Sequence, residues 1–367
     1  MPDSVSRDSS SPNTVVVGGG PIGLEVAIAL MGRGQRVRVL EAGAIGHTIL
    51  WWAPQTRWFS SNERIAIAGV PLLTQDQSKC SREGYLTYLR GVVQQYRVDV
   101  RTFTKVIHIS GSEGNFQVHT QSSSGSGQVA CESVVLAVGG TDHPNTLNVP
   151  GQQLPHVDGY LRETHRYHGR RVLIIGGRNS AIEAALRLHH AGADVTLCYR
   201  GAGIPEDHIK YWLLPEIKGL IRAERIAAYF GVDVQRITEN EVILRSNGAV
   251  ENAGDTFAVV ADDVLSLIGY RQDTSLFSSC GIECAGDNLA PVYDQSTMQT
   301  NREGIYIAGT AIAGTQSSRY RVFLENCHDH AEKIAKAICK GTKSQRAIEF
   351  KSSEMPYEAM ARMEPES

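Results

Sequence analysis

The chain contains two glycine-rich turns, and each one follows a short apolar run and precedes a segment with helical periodicity. The first turn, 18–23, follows Val15–Val17 and has glycine at its first, third and sixth positions. This spacing is typical of a strand, turn and helix unit that binds the pyrophosphate of a dinucleotide. The second turn, 176–181, follows Arg171–Ile175. We therefore predict an α/β fold with two Rossmann-like domains.

The first unit has the complete dinucleotide pattern. Its first glycine allows the tight turn, its second lets the backbone approach a pyrophosphate, and its third lets the helix pack closely on the strand. The next strand, Val37–Leu40, ends in Glu41, whose carboxylate can accept ribose hydroxyls and repels a 2′-phosphate. This unit should bind FAD or NAD(H), through Gly18, Gly20, Pro21, Ile22, Gly23 and Glu41.

In the second unit, the next strand, Val195–Cys198, is followed by a basic residue, where the first unit has the acidic Glu41. The guanidinium of Arg200 can pair with a phosphate through two hydrogen bonds, which favours NADP(H), although a solvated strand-end charge is the alternative. Arg178 occupies the place of the middle glycine, so its side chain is expected to replace a close backbone contact. The candidate residues are Gly176, Arg178, Asn179, Ser180, Ala181 and Arg200.

Length and composition set limits on the class of protein. A chain of 367 residues suggests about two domains, and 36 basic against 39 acidic residues favours neither nucleic acid nor an anionic membrane as a partner. No apolar run approaches the roughly 20 residues that span a bilayer, and the first 12 residues lack a secretory apolar region. Seven cysteines without a paired framework fit a reducing compartment, so we expect a cytoplasmic protein.

Two further glycine-ended strands suggest how the domains are arranged. The run Ser133–Leu136 leads into Ala137 and Gly139, and the run Ile305–Ile307 leads into Gly309 and Thr310. Because the latter follows the second dinucleotide unit, we expect the second domain to be inserted into the first. The expected division is a disordered segment 1–12, a discontinuous first domain 13–150 and 290–340, a second domain 151–289 and a tail 341–367. Helices are expected at about 82–96 and 320–339.

The segments VVVGGGPIGLE, VLIIGGRNSAIEAAL and GIYIAGT carry a resemblance to a known family. From about residue 13 to 340 the chain resembles thioredoxin-reductase-like flavoproteins, and more narrowly those similar to bacillithiol disulfide reductase. The resemblance implies FAD in the first domain, NADPH in the second, and hydride transfer from NADPH to the flavin and then to a low-molecular-weight disulfide or similar small acceptor. It assigns Ala137, Gly139, Gly309 and Thr310 to the FAD site. We also expect a homo-oligomer.

The chain departs from these relatives at three places. The stretch Val157–Arg171 has no cysteine, so the Cys-x-x-Cys of thioredoxin reductases is missing. Ile22 stands where family members associated with disulfide reduction have cysteine, which puts disulfide reduction in doubt. Thr310 stands where the larger group has an aspartate, so its hydroxyl or the backbone must bind the cofactor there.

Few other residues suggest redox or metal chemistry. Cys327 is the one weak catalytic candidate, because its helix is expected near the flavin. Cys280 and Cys284 are expected to be structural, and Cys80 has basic neighbours that could lower its pKa. His328 and His330 lie two apart on a predicted helix and would point to different faces, solvated or capping, so we expect no metal site.

Three alternative functions stay open. A ferredoxin or flavodoxin reductase of the same general type also lacks the cysteine pair. A flavin monooxygenase is suggested by a distorted echo of its signature over residues 149–160. A redox sensor without catalysis is the third alternative, and two intact nucleotide units argue against it.

Overall fold

The computed structural model describes residues 11–249, 254–315 and 322–339. The strands are β1 (Thr14–Val17), β2 (Val37–Leu40), β3 (Asp99–Arg101), β4 (Thr104–Ser112), β5 (Asn115–Ser122), β6 (Gly125–Cys131), β7 (Ser133–Leu136), β8 (His143–Pro144), β9 (Val157–Asp158), β10 (Arg171–Ile175), β11 (Asp194–Tyr199), β12 (Ala227–Phe230), β13 (Val232–Ile237), β14 (Glu241–Ser246), β15 (Thr256–Val260), β16 (Asp263–Ser266), β17 (Tyr270–Arg271), β18 (Cys284–Ala285), β19 (Ala290–Pro291) and β20 (Ile305–Ile307). The α-helices are α1 (Pro21–Met31), α2 (His47–Leu50), α3 (Asn62–Ile65), α4 (Arg82–Tyr96), α5 (Asn179–His190), α6 (Leu214–Arg222), α7 (Ser275–Ser279) and α8 (Asp329–Ile338).

The first dinucleotide pattern folds into a parallel sheet with the order β20-β7-β1-β2-β3. All four residues of β1 are buried, because the strand lies in the middle of the sheet between β2 and β7. Continuous apolar strands of this kind are typical of parallel sheets that are covered on both faces. Three loops therefore emerge at one edge, after the carboxyl ends of β1, β7 and β20.

Helix α1 is the central helix of this sheet. Pro21 occupies its first turn, where the missing N–H costs nothing. Its residues from Ile22 to Leu30 are all buried, and it packs against both β1 and α8. One buried residue is charged: Glu25 is only 5% exposed.

The second pattern folds into another parallel sheet, with the order β12-β11-β10-β16-β9. Helix α5 connects β10 to β11 and buries its apolar face against β11 and α6. The core is made of small and branched side chains: Val172, Ile174, Ala181, Ile182, Ala185, Leu188, Val195, Leu197 and Leu265. The prediction of two Rossmann-like sheets is confirmed.

Four smaller sheets complete the described part of the chain. Strands β4, β5 and β6 form one antiparallel sheet, and β13, β14 and β15 form another. The short strands β8 and β17 pair with each other, as do β18 and β19. Ser123 and Ser124 join β5 to β6 as a hairpin.

The chain divides into two compact units. In the described part, unit 1 comprises residues 11–51, 55–143 and 271–339, and unit 2 comprises 52–54 and 144–270. Unit 2 is thus shorter at its carboxyl end than the expected 151–289. The reason is that Arg302 donates hydrogen bonds to the carbonyls of Cys280 and Gly111, at 2.6 and 2.8 Å, which ties the segment after α7 to β4 of unit 1.

The predicted helix at 82–96 has those bounds, and Ser81 caps it by accepting the N–H of Gly84 at 3.1 Å. The prediction of a long helix over 320–339 is wrong. A short 3₁₀ turn, Leu324–Asn326, precedes α8, and α8 begins only at Asp329. Phe323 has an extended backbone, and its N–H donates to the side chain of Asn326 at 2.9 Å. A continuous helix from Phe323 into α8 is therefore interrupted.

Two glycines in helices should respond to alanine in opposite directions. A Cβ at Gly23 would lie 2.1 Å from the carbonyl oxygen of Gly18, whereas one at Gly91, on the exposed face of α4, would meet no atom within 4 Å. We expect Gly23→Ala to lower the free energy of unfolding by about 1–3 kcal/mol through overpacking. Gly91→Ala should raise it by about 0.5–1 kcal/mol through helix propensity. Urea unfolding would test both, and a stabilised Gly23→Ala would contradict the packing described.

Candidate cofactor-binding sites

The turn after β1 requires glycine at two positions for steric reasons, and a third is open. Gly18 has φ +111°, and a Cβ there would lie 2.3 Å from the carbonyl oxygen of Ala137. Gly23 is equally crowded by the Gly18 carbonyl. At Gly20 a Cβ would meet nothing within 4 Å, so the space in front of this residue is free of described protein atoms. That space is where the pattern predicts a ligand.

The N-terminus of α1 offers free donors beside that space. The amides of Gly20, Ile22 and Gly23 donate to no residue in the described ranges. The first amides of a helix have no partner within the helix, and they favour a pyrophosphate. The residues present therefore fit a dinucleotide.

Glu41 has a structural role that the sequence did not reveal. Its carboxylate is 7% exposed, and its two oxygens accept the N–H groups of Gly19 and Gly43, at 2.6 and 2.7 Å. Each carboxylate oxygen has a further lone pair, so Glu41 can still accept a ribose hydroxyl. These backbone bonds fix its orientation at the end of β2.

The loops after β7 and β20 adjoin the first turn. Ala137 crowds Gly18, as described above. Gly139 has φ +80°, and a Cβ there would lie 4.0 Å from the Thr310 hydroxyl oxygen. Gly309 has φ +68°, and a Cβ there would lie 3.2 Å from the Cβ of Ile22. The structure therefore brings together the five positions of the first turn and the loop residues predicted from the resemblance.

His330 is a residue of this region that sequence reasoning missed. It lies 5% exposed in α8, and its Nδ1 accepts the N–H of Gly309 at 3.0 Å. Burial lowers the pKa of the imidazole to about 4, although Asp329 opposes this shift. The ring is therefore neutral at pH 7, and the Gly309 amide is not available to a cofactor. Of the two predicted roles of His330, the solvated one is wrong, whereas its bond to the first amide of the 3₁₀ turn Gly309–Ala313 is a capping contact.

His328 also has buried partners. Its Nδ1 lies 2.7 Å from Glu25 Oε2, and its Nε2 lies 3.0 Å from the carbonyl oxygen of Arg64. Burial alone would lower its pKa, but the hydrogen bond and charge of Glu25 outweigh that cost and raise it. The pair links α1, the end of α3 and the start of α8. The two-residue spacing between His328 and His330 did not predict these contacts, because α8 begins between the two residues.

The second glycine turn has the same backbone form with a different side chain. Gly176 has φ +142°, and a Cβ there would lie 2.5 Å from the carbonyl oxygen of Leu267. A Cβ at Gly177 would lie 2.5 Å from the ring of Tyr199. Arg178, at the N-cap of α5, has φ −105° and ψ −174°, which is an extended backbone that any residue adopts. This position therefore has no conformational need for glycine.

Two guanidinium groups stand near this turn without protein partners. The side chains of Arg178 and Arg200 are exposed and form no hydrogen bond or ion pair with the described residues. Arg178 follows β10 and Arg200 follows β11, and these strands pair in parallel with Ile175 opposite Cys198. The amides of Asn179 and Ser180 also have no described acceptor, whereas Asn179 Oδ1 accepts the Lys210 N–H at 2.8 Å.

The thiols do not form a redox pair. All seven cysteines lie in the described ranges and none of them forms a disulfide there, and only Cys284 is more than slightly exposed. Burial raises the pKa of Cys80, Cys280 and Cys284, and raises that of Cys327 well above its ordinary value. Cys327 is fully buried and donates to the Phe323 carbonyl at 3.0 Å, which disfavours it as a catalytic thiol. Over the same ranges, no cluster of histidine, cysteine and carboxylate residues could hold a metal ion.

The family model described as pyridine nucleotide-disulphide oxidoreductase matches residues 15–309. The chain belongs to this family. The match extends from the first glycine turn to the loop after β20, so it includes both dinucleotide units. The prediction of a FAD- and NADPH-dependent oxidoreductase is confirmed. No helix in the described part of the chain has the length and apolarity to cross a membrane.

The chain is similar to several individual members of this group of reductases. The chain is 35% identical over 327 residues to bacilliredoxin reductase Bdr of Bacillus subtilis, covering 89% of this chain and 97% of the relative. It is similar to the solved structure of bacillithiol disulfide reductase Bdr from Bacillus cereus, with a TM-score of 0.83, 35% identity and coverage of 90% and 99%. It is also 23% identical over 311 residues to ferredoxin–NADP reductase 1 of Bacillus licheniformis, with 82% of each chain covered. The predicted family resemblance is confirmed.

His330 should make stability depend on acid pH. Because its folded pKa of about 4 lies below the ordinary value of 6.5, the unfolded chain binds the proton more readily between these values. The contribution of the neutral ring is therefore complete above pH 6.5 and is lost as pH falls towards 4. We expect the stability difference between wild type and His330→Gln to shrink by roughly 1–3 kcal/mol over that range, as measured by urea unfolding.

His328→Gln provides a control of opposite sign. The folded pKa of His328 is raised, so its contribution is complete below 6.5 and is lost as pH rises through the folded value. The difference between wild type and His328→Gln should therefore shrink on the alkaline side. If both variants gave the same pH profile, the described environments would be wrong.

Proposed function

We propose that unit 1 binds FAD, that unit 2 binds NADPH, and that reducing equivalents pass to a low-molecular-weight disulfide or a similar small acceptor. The assignment of FAD to unit 1 and NADPH to unit 2 rests on a difference in charge between the two sites. The first turn is followed by a buried carboxylate, Glu41, and the second by two exposed and unpaired guanidinium groups, Arg178 and Arg200. A 2′-phosphate is repelled by the first arrangement and attracted by the second.

In unit 1 the free amides of the α1 N-terminus would hold the pyrophosphate, and Glu41 would accept the adenosine ribose hydroxyls. Glu41 is fixed by its bonds to Gly19 and Gly43, so it would bind without first losing side-chain freedom. The loops at Gly139 and Thr310 would contact the cofactor beyond the pyrophosphate. When bound, FAD would supply the redox chemistry that links hydride donation by NADPH to two-electron reduction of the acceptor.

In unit 2 the amides of Asn179 and Ser180 would bind the NADPH pyrophosphate at the start of α5. Arg200 would pair with the 2′-phosphate, since it follows the strand that ends beside the glycine turn. Arg178 would add a second positive charge at the same edge. The Tyr199 ring, which packs against Gly177, would keep the turn in position.

A disulfide is the acceptor that the relatives support. The similar protein from Bacillus cereus is named a bacillithiol disulfide reductase, and the likeness to it covers 90% of this chain. Ile22 distinguishes the chain from the pattern with cysteine in the first turn, and Ile22 packs on Gly309 at the same edge. A thiol-independent reaction with the acceptor would follow from this substitution.

Ferredoxin reduction is the second candidate, and the likeness to ferredoxin–NADP reductase 1 favours it. Anaerobic reduction by NADPH followed by separate addition of disulfides, ferredoxin and flavodoxin would discriminate between the two. Flavin reoxidation by a disulfide that is faster than reoxidation without an added acceptor supports the first proposal. Turnover with an electron-carrier protein alone would replace it by the second.

We further propose a cytoplasmic location and a homo-oligomeric assembly. None of the seven cysteines forms a disulfide in the described part of the chain, which supports a reducing compartment. Size-exclusion chromatography with light scattering would measure the assembly, and a monomeric mass would reject it.

Arg200 should determine the preference for NADPH over NADH. We expect Arg200→Leu to weaken NADPH binding about 10- to 100-fold and to leave NADH binding nearly unchanged, because only NADPH has the 2′-phosphate. Stopped-flow flavin reduction with each nucleotide would measure both affinities. Arg222→Leu is the control, since Arg222 is also exposed but ends α6, at the opposite edge of the sheet. An equal loss for both nucleotides would show that Arg200 does not contact the phosphate.

A further inference from the structure

We propose that Gln272 is a positioning residue for FAD, which acts by holding together the loops after β7 and β20. This inference rests on the proposed FAD site in unit 1. Gln272 lies only 5% exposed, and its Nε2 donates to the carbonyl oxygens of Gly139 and Ala311, at 2.7 and 3.0 Å. One amide group therefore joins two loops that are far apart in sequence.

Those two loops lie next to each other at the carboxyl ends of the sheet strands, where the ligand is expected. Strands β7 and β20 are parallel neighbours, with Leu136 opposite Ile307, so their following loops emerge side by side. In open α/β sheets, ligands bind outside the carboxyl ends of the strands. The loop after β20 also contacts the first turn through Gly309 and Ile22. The distance between the loops thus sets the width of the site next to the predicted pyrophosphate position.

The backbone on both sides of Gln272 is fixed by a single residue. The N–H of Asp142 donates to the carbonyl of Arg271 at 2.9 Å, and the Asp142 carboxylate accepts the N–H of Asp273 at 2.8 Å. These bonds hold the residues before and after Gln272. Its side chain is consequently aimed at the loops by a rigid segment and not by packing alone.

The orientation of the amide follows from its partners. Both neighbours are carbonyl oxygens, which need a donor, so Nε2 and not Oε1 must face them. Oε1 is then buried without a donor among the described residues. An apolar residue of similar size would avoid this unsatisfied atom. Glutamine is present at this position although its Oε1 is buried without a donor among the described residues. We therefore infer that its bonds to the two loops are needed, and we propose that cofactor binding needs them.

The first test is the dissociation constant of FAD, measured by flavin fluorescence on the full chain after removal of the flavin. Gln272→Met keeps the size of the side chain and removes both hydrogen bonds. We expect it to weaken FAD binding at least about tenfold, because the loops would no longer be held before binding. NADPH binding to the same variant should be unchanged.

A matched control separates positioning from general stability. Thr300 is also buried in unit 1, at 7% exposure, and its hydroxyl oxygen lies 3.2 and 3.0 Å from the carbonyl oxygens of Arg302 and Ile305, to either of which it can donate. It precedes β20, so it lies at the amino end of the strand whose carboxyl end Gln272 fixes. Thr300→Val should lower the melting temperature of the apoprotein and change the FAD dissociation constant less than twofold.

A third variant gives a readout that a purely structural role would not show. In Gln272→Glu the protonated carboxyl can donate to one carbonyl, whereas the carboxylate would face two oxygen atoms. FAD affinity should therefore fall as pH rises between about 5 and 8, beyond any change in wild type. Asp142, Asp273, His143 and Lys105 surround the segment in both proteins, so wild type at each pH is the reference.

The outcomes are distinct. If wild type binds FAD but Gln272→Met and Thr300→Val weaken it equally, or Gln272→Glu follows the wild-type pH profile, the positioning role is wrong and the FAD site stands. If a Gly20→Val variant, which fills the predicted ligand space, binds FAD as wild type does, the proposed site itself is wrong. Should Gln272→Met fail to fold, the pH profile of Gln272→Glu decides alone.

Discussion

The contact between the first turn of α1 and the end of β1 is the constraint on which unit 1 depends. Gly23 lies so close to the Gly18 carbonyl that a single added carbon would approach it to 2.1 Å. This contact sets the position of the helix start, and thereby of the free amides of Gly20, Ile22 and Gly23. The loop after β7 meets the same turn at Ala137 and the loop after β20 meets it at Ile22. The first turn is thus in contact with both of the other loops of the proposed FAD site, which Gln272 joins to each other.

The sequence was sufficient for the features that depend on local pattern. The two glycine turns, the parallel strands around them and helix α4 follow from spacing and from apolar patterns, and all are present. Glu41 and Arg200 could be located because the strand before each is short and apolar. Local pattern also gave the family, since the quoted segments contain the backbone features of both turns.

The sequence was insufficient where a residue acts through distant partners. Gln272 lies 133 residues from Gly139 along the chain, and nothing in its neighbourhood predicts that bond. The same holds for His330 with Gly309 and for His328 with Glu25, which are 303 residues apart. The extended helix expected at 320–339 was wrong because Asn326 bonds back to the Phe323 amide and interrupts it. Nothing in the local sequence shows that Arg302 ties the segment after α7 to β4.

The extended backbone at Arg178 has a consequence for searches by sequence pattern. A search that demands glycine at all three places of the dinucleotide signature would reject the second turn, although its backbone has the required form. Only the first of the three, Gly176, is compelled by its dihedral angle and by the Leu267 carbonyl. The backbone at the middle place is therefore compatible with a residue other than glycine. Profiles that weight the first glycine above the others would recover proteins of this kind.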